Sequence, residues 1–217
     1  GQSLTNSTRP PKLCVIQVGS DDASSIYIRN KIRACHTVGF LAEHLVFSDQ
    51  TTMASLLSCI DKLNQDHTVD GILLQLPLPK HLDAAKALAR IDPWKDVDAI
   101  TPHHFGLLVH NKPLIYPCTT AATLQILQHL ALDPAGKQVV MVGASTIVGK
   151  PTALALLNLQ ATVTVCHAKT HNLSNAISQA DILITAIGKP DVIQPSWLSP
   201  HTIVIDIGIN RKDGQVV

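Results

Sequence analysis

The chain has 217 residues, 46% of them apolar and 15% charged, with a formal net charge of +1. That length allows one large or two small domains with a real core, and the balanced charge, without a basic block, argues against a nucleic-acid partner. No apolar run approaches the ~20 residues that span a bilayer, so no membrane is expected. Five scattered cysteines without a C-x-x-C pair point to reduced thiols and a cytoplasmic setting.

Residues 13–18 read as a buried strand closed by Gly19 and a polar turn through Asp21-Asp22. Ser24 or Ser25 is expected to cap a helix carrying Ile26, Ile28, Ile32 and Val38 that stops near Gly39. A strand follows at 44–47. The next helix is capped by Thr51 or Thr52 and carries Leu56, Leu57, Ile60 and Leu63. Residues 70–76 form a third buried strand cut off by Pro77 and Pro79, and a short helix covers 82–91. Residues 101–116 read as a loop or connector. Its His103, His104 and His110 lack i,i+4 spacing and an accompanying carboxylate, so no metal site is expected.

Past Pro117, a helix over 121–130 leads into a strand at 139–142, a turn from Gly143 to Gly149, and an apolar helix. Strands at 161–165, 181–186 and 202–206, with a helix at 173–180, bring the strands of this half to four. Strand and helix alternate throughout, which predicts an α/β fold with parallel sheets and right-handed crossovers. Two domains are expected: a three-layer α/β substrate domain over 1–116 and a Rossmann-like NAD(P)-binding domain over 117–217. The chain stops just after a turn expected at Asp213-Gly214, so the second domain reads as incomplete.

The strand–glycine turn–helix unit suits a dinucleotide, because a helix N-terminus offers free N–H groups and a positive dipole end to phosphate. Its G-x5-G spacing meets the usual fingerprint only in part. The following strand ends in Cys166-His167-Ala168-Lys169-Thr170, where an NAD enzyme presents an acid to the ribose. Absence of that acid and presence of Lys169 favour NADP over NAD. Tyr27 and Lys31 stand one helical turn apart and share a face. A Tyr-x-x-x-Lys couple is catalytic in short-chain dehydrogenases, but there it follows the glycine turn, so alone it reads as structural. Gln75 lies in an apolar strand and needs partners or a cleft, because an unpaired buried amide costs about 1–3 kcal/mol. Asp96 and Asp98 by themselves read as capping carboxylates on a surface turn.

Several stretches in order resemble one family. They are Val18-Gly19 with Ala23 to Lys31, Asp70-Gly71 through Pro79, Asp92-Pro93 with Lys95-Asp96-Val97-Asp98, and Pro117-Cys118-Thr119. Gly143-Ala144-Ser145 with Ile147 to Pro151, and Asp206-Ile207-Gly208-Ile209-Asn210, complete the set. The sequence is similar to the bifunctional methylenetetrahydrofolate dehydrogenase/methenyltetrahydrofolate cyclohydrolase family. The resemblance implies NADP-dependent oxidation of 5,10-methylenetetrahydrofolate to the methenyl form and its hydrolysis to 10-formyltetrahydrofolate, in one-carbon metabolism that feeds purine biosynthesis. It implies that Lys31 is the catalytic lysine, that Gln75 works with it, that Tyr27 packs and hydrogen-bonds at the folate, and that Asp98 holds the pterin. Leu76 and Pro77 fall in the substrate-binding stretch. Gly143, Ala144, Ser145, Ile147, Val148, Gly149 and Pro151 match the cofactor turn, with His167 and Lys169 near the adenosine ribose and Ile209 also at the cofactor. A homodimer through the second domain is implied as well.

Three departures stand out. Thr120-Ala121-Ala122 replace the usual proline and later glycine, Ala99 replaces a glycine after Asp98, and Ala144 stands where many relatives carry an arginine for the 2′-phosphate. Beside the family the chain shows little of the first helix and none of the closing helix, and it is expected to be truncated. The rival readings are another NAD(P)-dependent dehydrogenase and a non-catalytic cofactor-binding relative.

Overall fold

β1 (Lys12–Val18), β2 (Leu41–Phe47) and β3 (Gly71–Leu74) form a parallel sheet in the order β2-β1-β3. This computed structural model describes residues 9–20, 22–209, 211–212 and 215–216, with 22–25, 211–212 and 215–216 described by backbone alone. The opening residues 1–8, Asp21, Asn210 and the turn expected at Asp213-Gly214 lie outside the described residues. Contacts divide the chain into units Gly1–His103 and His104–Val217. Among the described residues no helix is long and apolar enough to cross a membrane.

In the first unit β1 is the central strand and is buried on both faces, hence its apolar run over residues 13–16. Cys14, Ile16 and Val18 pack against Leu56, Ile60 and Leu63 of α2 (Met53–Gln65) and Ala87 and Leu88 of α3 (Ala84–Arg90). On the opposite face Val15 and Leu73 pack against Ile28 of α1 (Asp22–Thr37), giving three layers. The helix α1 starts at Asp22, so Ser24 and Ser25 lie inside its first turn and are not its caps. Its apolar face is narrower than expected. Ile28 is buried, while Ile26 is exposed, because residues two apart point about 200° away from each other on a helix, and the exposed Val38 lies past the last residue of α1.

Thr52 is the cap of α2 and its Oγ1 accepts from Ser55 N–H at 3.2 Å. At the other end of α2 the Lys95 ammonium donates to the carbonyls of Leu63, Asn64 and Asp66, each at 2.8 Å. Three donors meet three carbonyls there, and the cation sits at the negative end of the helix. The strand β3 is shorter than its apolar run and ends at Leu74. Gln75 N–H still donates to Ile16 O at 2.9 Å, and the chain then turns through a cis Leu76–Pro77 peptide. Proline has no N–H with which to continue the ladder.

Residues 102–109 fold as α4 (Pro102–Val109), where a loop was expected. Pro102 opens this helix, where its missing N–H costs nothing, and His104 and Leu108, one turn apart, are buried. In the second unit α5 (Cys118–His129), β4 (Gln138–Val142), α6 (Gly149–Asn158), β5 (Thr162–Cys166), α7 (Leu173–Ser178), β6 (Ile182–Thr185) and β7 (Ile203–Asp206) follow in order. The four strands are parallel in the order β5-β4-β6-β7. Val139, Met141, Ile182, Ile184 and Ile205 pack with Leu127, Ala153 and Leu156 on one face. Val140, Val142 and Leu183 pack with Ile177 on the other. Thr120 and Thr152 meet in the interior, hydroxyl to hydroxyl at 3.0 Å, which gives Thr120 its place in α5. A short antiparallel pair, β8 (Arg211–Lys212) and β9 (Gln215–Val216), was not anticipated.

Ahead of β3, the Asp70 carboxylate takes the Arg9 guanidinium at 2.7 and 3.0 Å and Lys12 N–H at 2.7 Å. The bond from Arg9 holds the Asp70 carboxyl below the ordinary carboxylate range. A depressed folded-state value contributes stability at neutral pH that disappears as pH falls through that value. The variant Asp70→Asn is expected to melt earlier than the parent at pH 7, with the gap closing in acid. Thermal midpoints followed by circular dichroism across pH check this, and a gap independent of pH would refute it.

Candidate functional site

Each unit gathers one group of polar residues at the carboxyl ends of its parallel strands, where α/β folds place their sites. In the first unit Gln75 lies just past β3. Its Nε2 donates to Leu76 O at 2.7 Å, while its Oε1 is the one buried side-chain polar atom without a hydrogen-bond partner found among the described residues. An orphaned buried acceptor costs about 1–3 kcal/mol, so it waits for a donor. Because β3 ends at Leu74, Gln75 belongs to the strand's mouth and not to its interior.

Tyr27 and Lys31 share one flank of α1 beside the buried Ile28, whose packing against Leu73 ties α1 to the face of β3 that leads to Gln75. Lys31 is half-buried and Tyr27 is exposed. Leu76 is half-buried and Pro77 exposed. Asp98 is half-buried on the loop that follows an isolated parallel bridge between Ile72 and Asp96. Asp96 itself is buried, which corrects the surface-turn reading. Its carboxylate accepts backbone N–H groups, and these replace the water it gives up.

Sequence reasoning missed Gln17. It is buried near the end of β1, in the register position beside Gln75, and His44 Nε2 donates to its Oε1 at 2.9 Å. The available signal was an amide inside an apolar run, the same signal that marked Gln75. Cys14, also on β1, has a thiol pushed up to about 11 by burial and by the Glu43 carboxylate, so it is no nucleophile.

In the second unit Gly143 follows β4 with φ +122° and donates its N–H to Cys166 O at 2.9 Å. Gly149 is buried at the start of α6, and a Cβ there would overlap the carbonyl of Gly143. Only glycine lets helix and turn come this close. The helix end is not a row of free N–H groups, as the sequence suggested. Ser145 Oγ accepts from Val148 N–H at 3.2 Å and Gly149 N–H at 3.3 Å, and Ser145 O accepts from Lys150 N–H at 2.9 Å. Both bonds to Oγ are long, and the serine keeps its own O–H to donate.

Ile147 and Ser145 are exposed, Ala144 and Val148 half-buried, and Pro151 buried in the first turn of α6. At the end of β5, Thr170 N–H donates to His167 O at 2.9 Å and His167 N–H to Thr170 Oγ1 at 2.8 Å, closing a tight turn. Lys169 N–H donates to His167 Nδ1 at 3.2 Å, which leaves Nε2 as the ring's protonated, outward nitrogen in the neutral form. The side chains of His167 and Lys169 are exposed, and the turn 167–170 holds no acid. Ile209 is exposed beyond β7. Glycine-limited close approach and a hydroxyl at a helix N-terminus fit a dinucleotide.

A family model for the tetrahydrofolate dehydrogenase/cyclohydrolase catalytic domain matches residues 2–98. A second, for the NAD(P)-binding domain of the same enzymes, matches 117–217. The bifunctional protein FolD of Ruthia magnifica is 50% identical over 205 residues, which are 94% of this chain and 74% of the relative. The crystal structure of the bifunctional methylenetetrahydrofolate dehydrogenase/cyclohydrolase from Campylobacter jejuni superposes with a TM-score of 0.92 at 39% identity, over 96% of this chain and 75% of that one. The Trypanosoma brucei enzyme, solved with NADP cofactor and inhibitor, gives 0.88 at 33% identity, over 93% and 69% of the two chains.

Proposed function

Because the chain belongs to the tetrahydrofolate dehydrogenase/cyclohydrolase family, we propose that Lys31, Gln75 and Asp98 carry its chemistry and that the Ser145 turn, His167 and Lys169 hold its cofactor. The enzyme oxidises 5,10-methylenetetrahydrofolate to the 5,10-methenyl form and hydrolyses that product to 10-formyltetrahydrofolate. The observation that carries the residue assignment is the orphaned Oε1 of Gln75 at the mouth of β3.

A nicotinamide cofactor held by the Ser145 turn, His167 and Lys169 would supply the acceptor for the hydride that leaves the methylene carbon of the folate. The chain's own residues do the rest. Addition of water to the methenyl carbon releases a proton, which the Lys31 amine moves. Gln75 Oε1 accepts a hydrogen bond from that amine and so aims it, which relieves the unpaired buried acceptor. The Asp98 carboxylate accepts paired N–H groups of the pterin, a geometry suited to a planar ligand. Tyr27 offers its ring and hydroxyl to the folate beside Lys31, and Leu76 and Pro77 line the same stretch.

NADP is the favoured cofactor. The support is the acid-free turn at the end of β5 with the exposed Lys169, and Ser145, whose O–H is directed outward once its oxygen holds two N–H groups. A homodimer through the second unit has support in β5, an edge strand whose Thr162, Thr164 and Val165 are exposed.

Three outcomes are expected. Lys31→Met loses hydrolysis of the methenyl substrate by at least about 100-fold while its thermal midpoint holds, read by loss of methenyl absorbance. Full hydrolysis by that variant would remove the lysine from the mechanism. Lys169→Ala raises KM for NADP about tenfold and leaves KM for NAD unchanged in steady-state dehydrogenase assays; equal change for both would return Lys169 to the surface. Val165→Lys converts the dimer to a monomer in sedimentation velocity, and an unshifted dimer peak would place the interface elsewhere.

A further inference from the structure

Asp98 stands on a loop whose shape is set from inside the fold. Two residues earlier, Asp96 is 4% exposed and uses its oxygens separately: Oδ1 accepts from Asp98 N–H at 3.1 Å and Oδ2 from Thr101 N–H at 2.8 Å. The backbone of this segment is fastened to β3, through the bridge to Ile72 and the bond from Ile72 N–H to Lys95 O at 2.7 Å. Between the two gripped N–H groups lies Ala99, 1% exposed, with φ +55°. A residue with a Cβ disfavours that left-handed conformation and keeps it only where the surroundings impose it. The carboxylate of Asp96, bonded on either side of Ala99, is the group placed to impose it.

We propose that Asp96 is a positioning residue for the folate, acting through Asp98. By fixing the backbone on both sides of Ala99 it sets the direction in which the Asp98 carboxylate leaves the chain. A carboxylate that accepts two parallel N–H groups depends on that direction, since a small rotation breaks one bond of the pair. The inference rests on the reading of Asp98 as the pterin carboxylate, so its test separates the two.

Asp96→Asn keeps the shape of the side chain and loses one of its two acceptor oxygens. It is expected to raise KM for the folate about tenfold in both reactions, with kcat and KM for NADP near the parent values. Asp96→Ala moves the same constant further. Ile60→Val serves as the stability control: it trims a fully buried side chain of the same unit away from the loop, and it is expected to lower the thermal midpoint without changing folate KM. In the Asp96→Asn Asp98→Asn double variant the two increases in KM are less than multiplicative, because both act on one contact.

The proposal is overturned if Asp96→Asn lowers the thermal midpoint as Ile60→Val does and leaves folate KM untouched. Fully multiplicative effects in the double variant would also overturn it. If Asp98→Asn alone leaves folate KM unchanged, the reading of Asp98 fails, and the role of Asp96 falls with it. Should Asp96→Ala not fold, Asp96→Asn decides.

Discussion

The parallel bridge between Ile72 and Asp96 is the constraint on which the first unit depends. It closes the outer edge of β3, a strand of four residues that would otherwise leave half its backbone unpaired. The bridge also sets the two residues at its far side to different tasks. Lys95 reaches the last carbonyls of α2 and fastens that helix to the sheet. Asp96 turns inward and organises the loop that carries Asp98. One backbone contact therefore couples the hydrophobic layer under α2 to the polar loop at the sheet's end. Gln75, one residue past β3, is held from the other side of that strand, by its N–H on Ile16 O and its Nε2 on Leu76 O.

In the second unit the governing constraint is steric. Gly143 and Gly149 bring the start of α6 against the end of β4 so closely that a single methyl group would separate them. The closeness places Ser145 over the helix N-terminus, and the tight turn at His167 stands at the end of the adjacent strand β5. The serine stands in the turn after β4, and the histidine and lysine stand in the turn after β5, so neighbouring parallel strands bring both turns to one end of the sheet.

Much of this was legible in the sequence, and the limits have physical causes. Strands β1, β4 and β6 announce themselves because burial on both faces demands successive apolar residues. The cap at Thr52 and the glycine turn were legible because they depend on local chemistry. The helix α4 was not, since its proline, histidines and glycine carry loop-like propensities that tertiary burial of His104 and Leu108 overrides. The burial of Asp96 was hidden for a related reason: a carboxylate is read as exposed unless its backbone partners are known. The extent of β3 was overstated because apolar character persists to Leu76 although pairing stops earlier. Gln75 could be singled out as a polar residue in apolar company, but its unpaired oxygen became visible only in three dimensions.

The serine that closes the start of α6 also makes the empty turn a finished structure. The N–H groups of Val148 and Gly149 already have an acceptor in its hydroxyl oxygen, so the helix start keeps its shape without a ligand. A backbone ordered in advance leaves little to be ordered when a partner arrives.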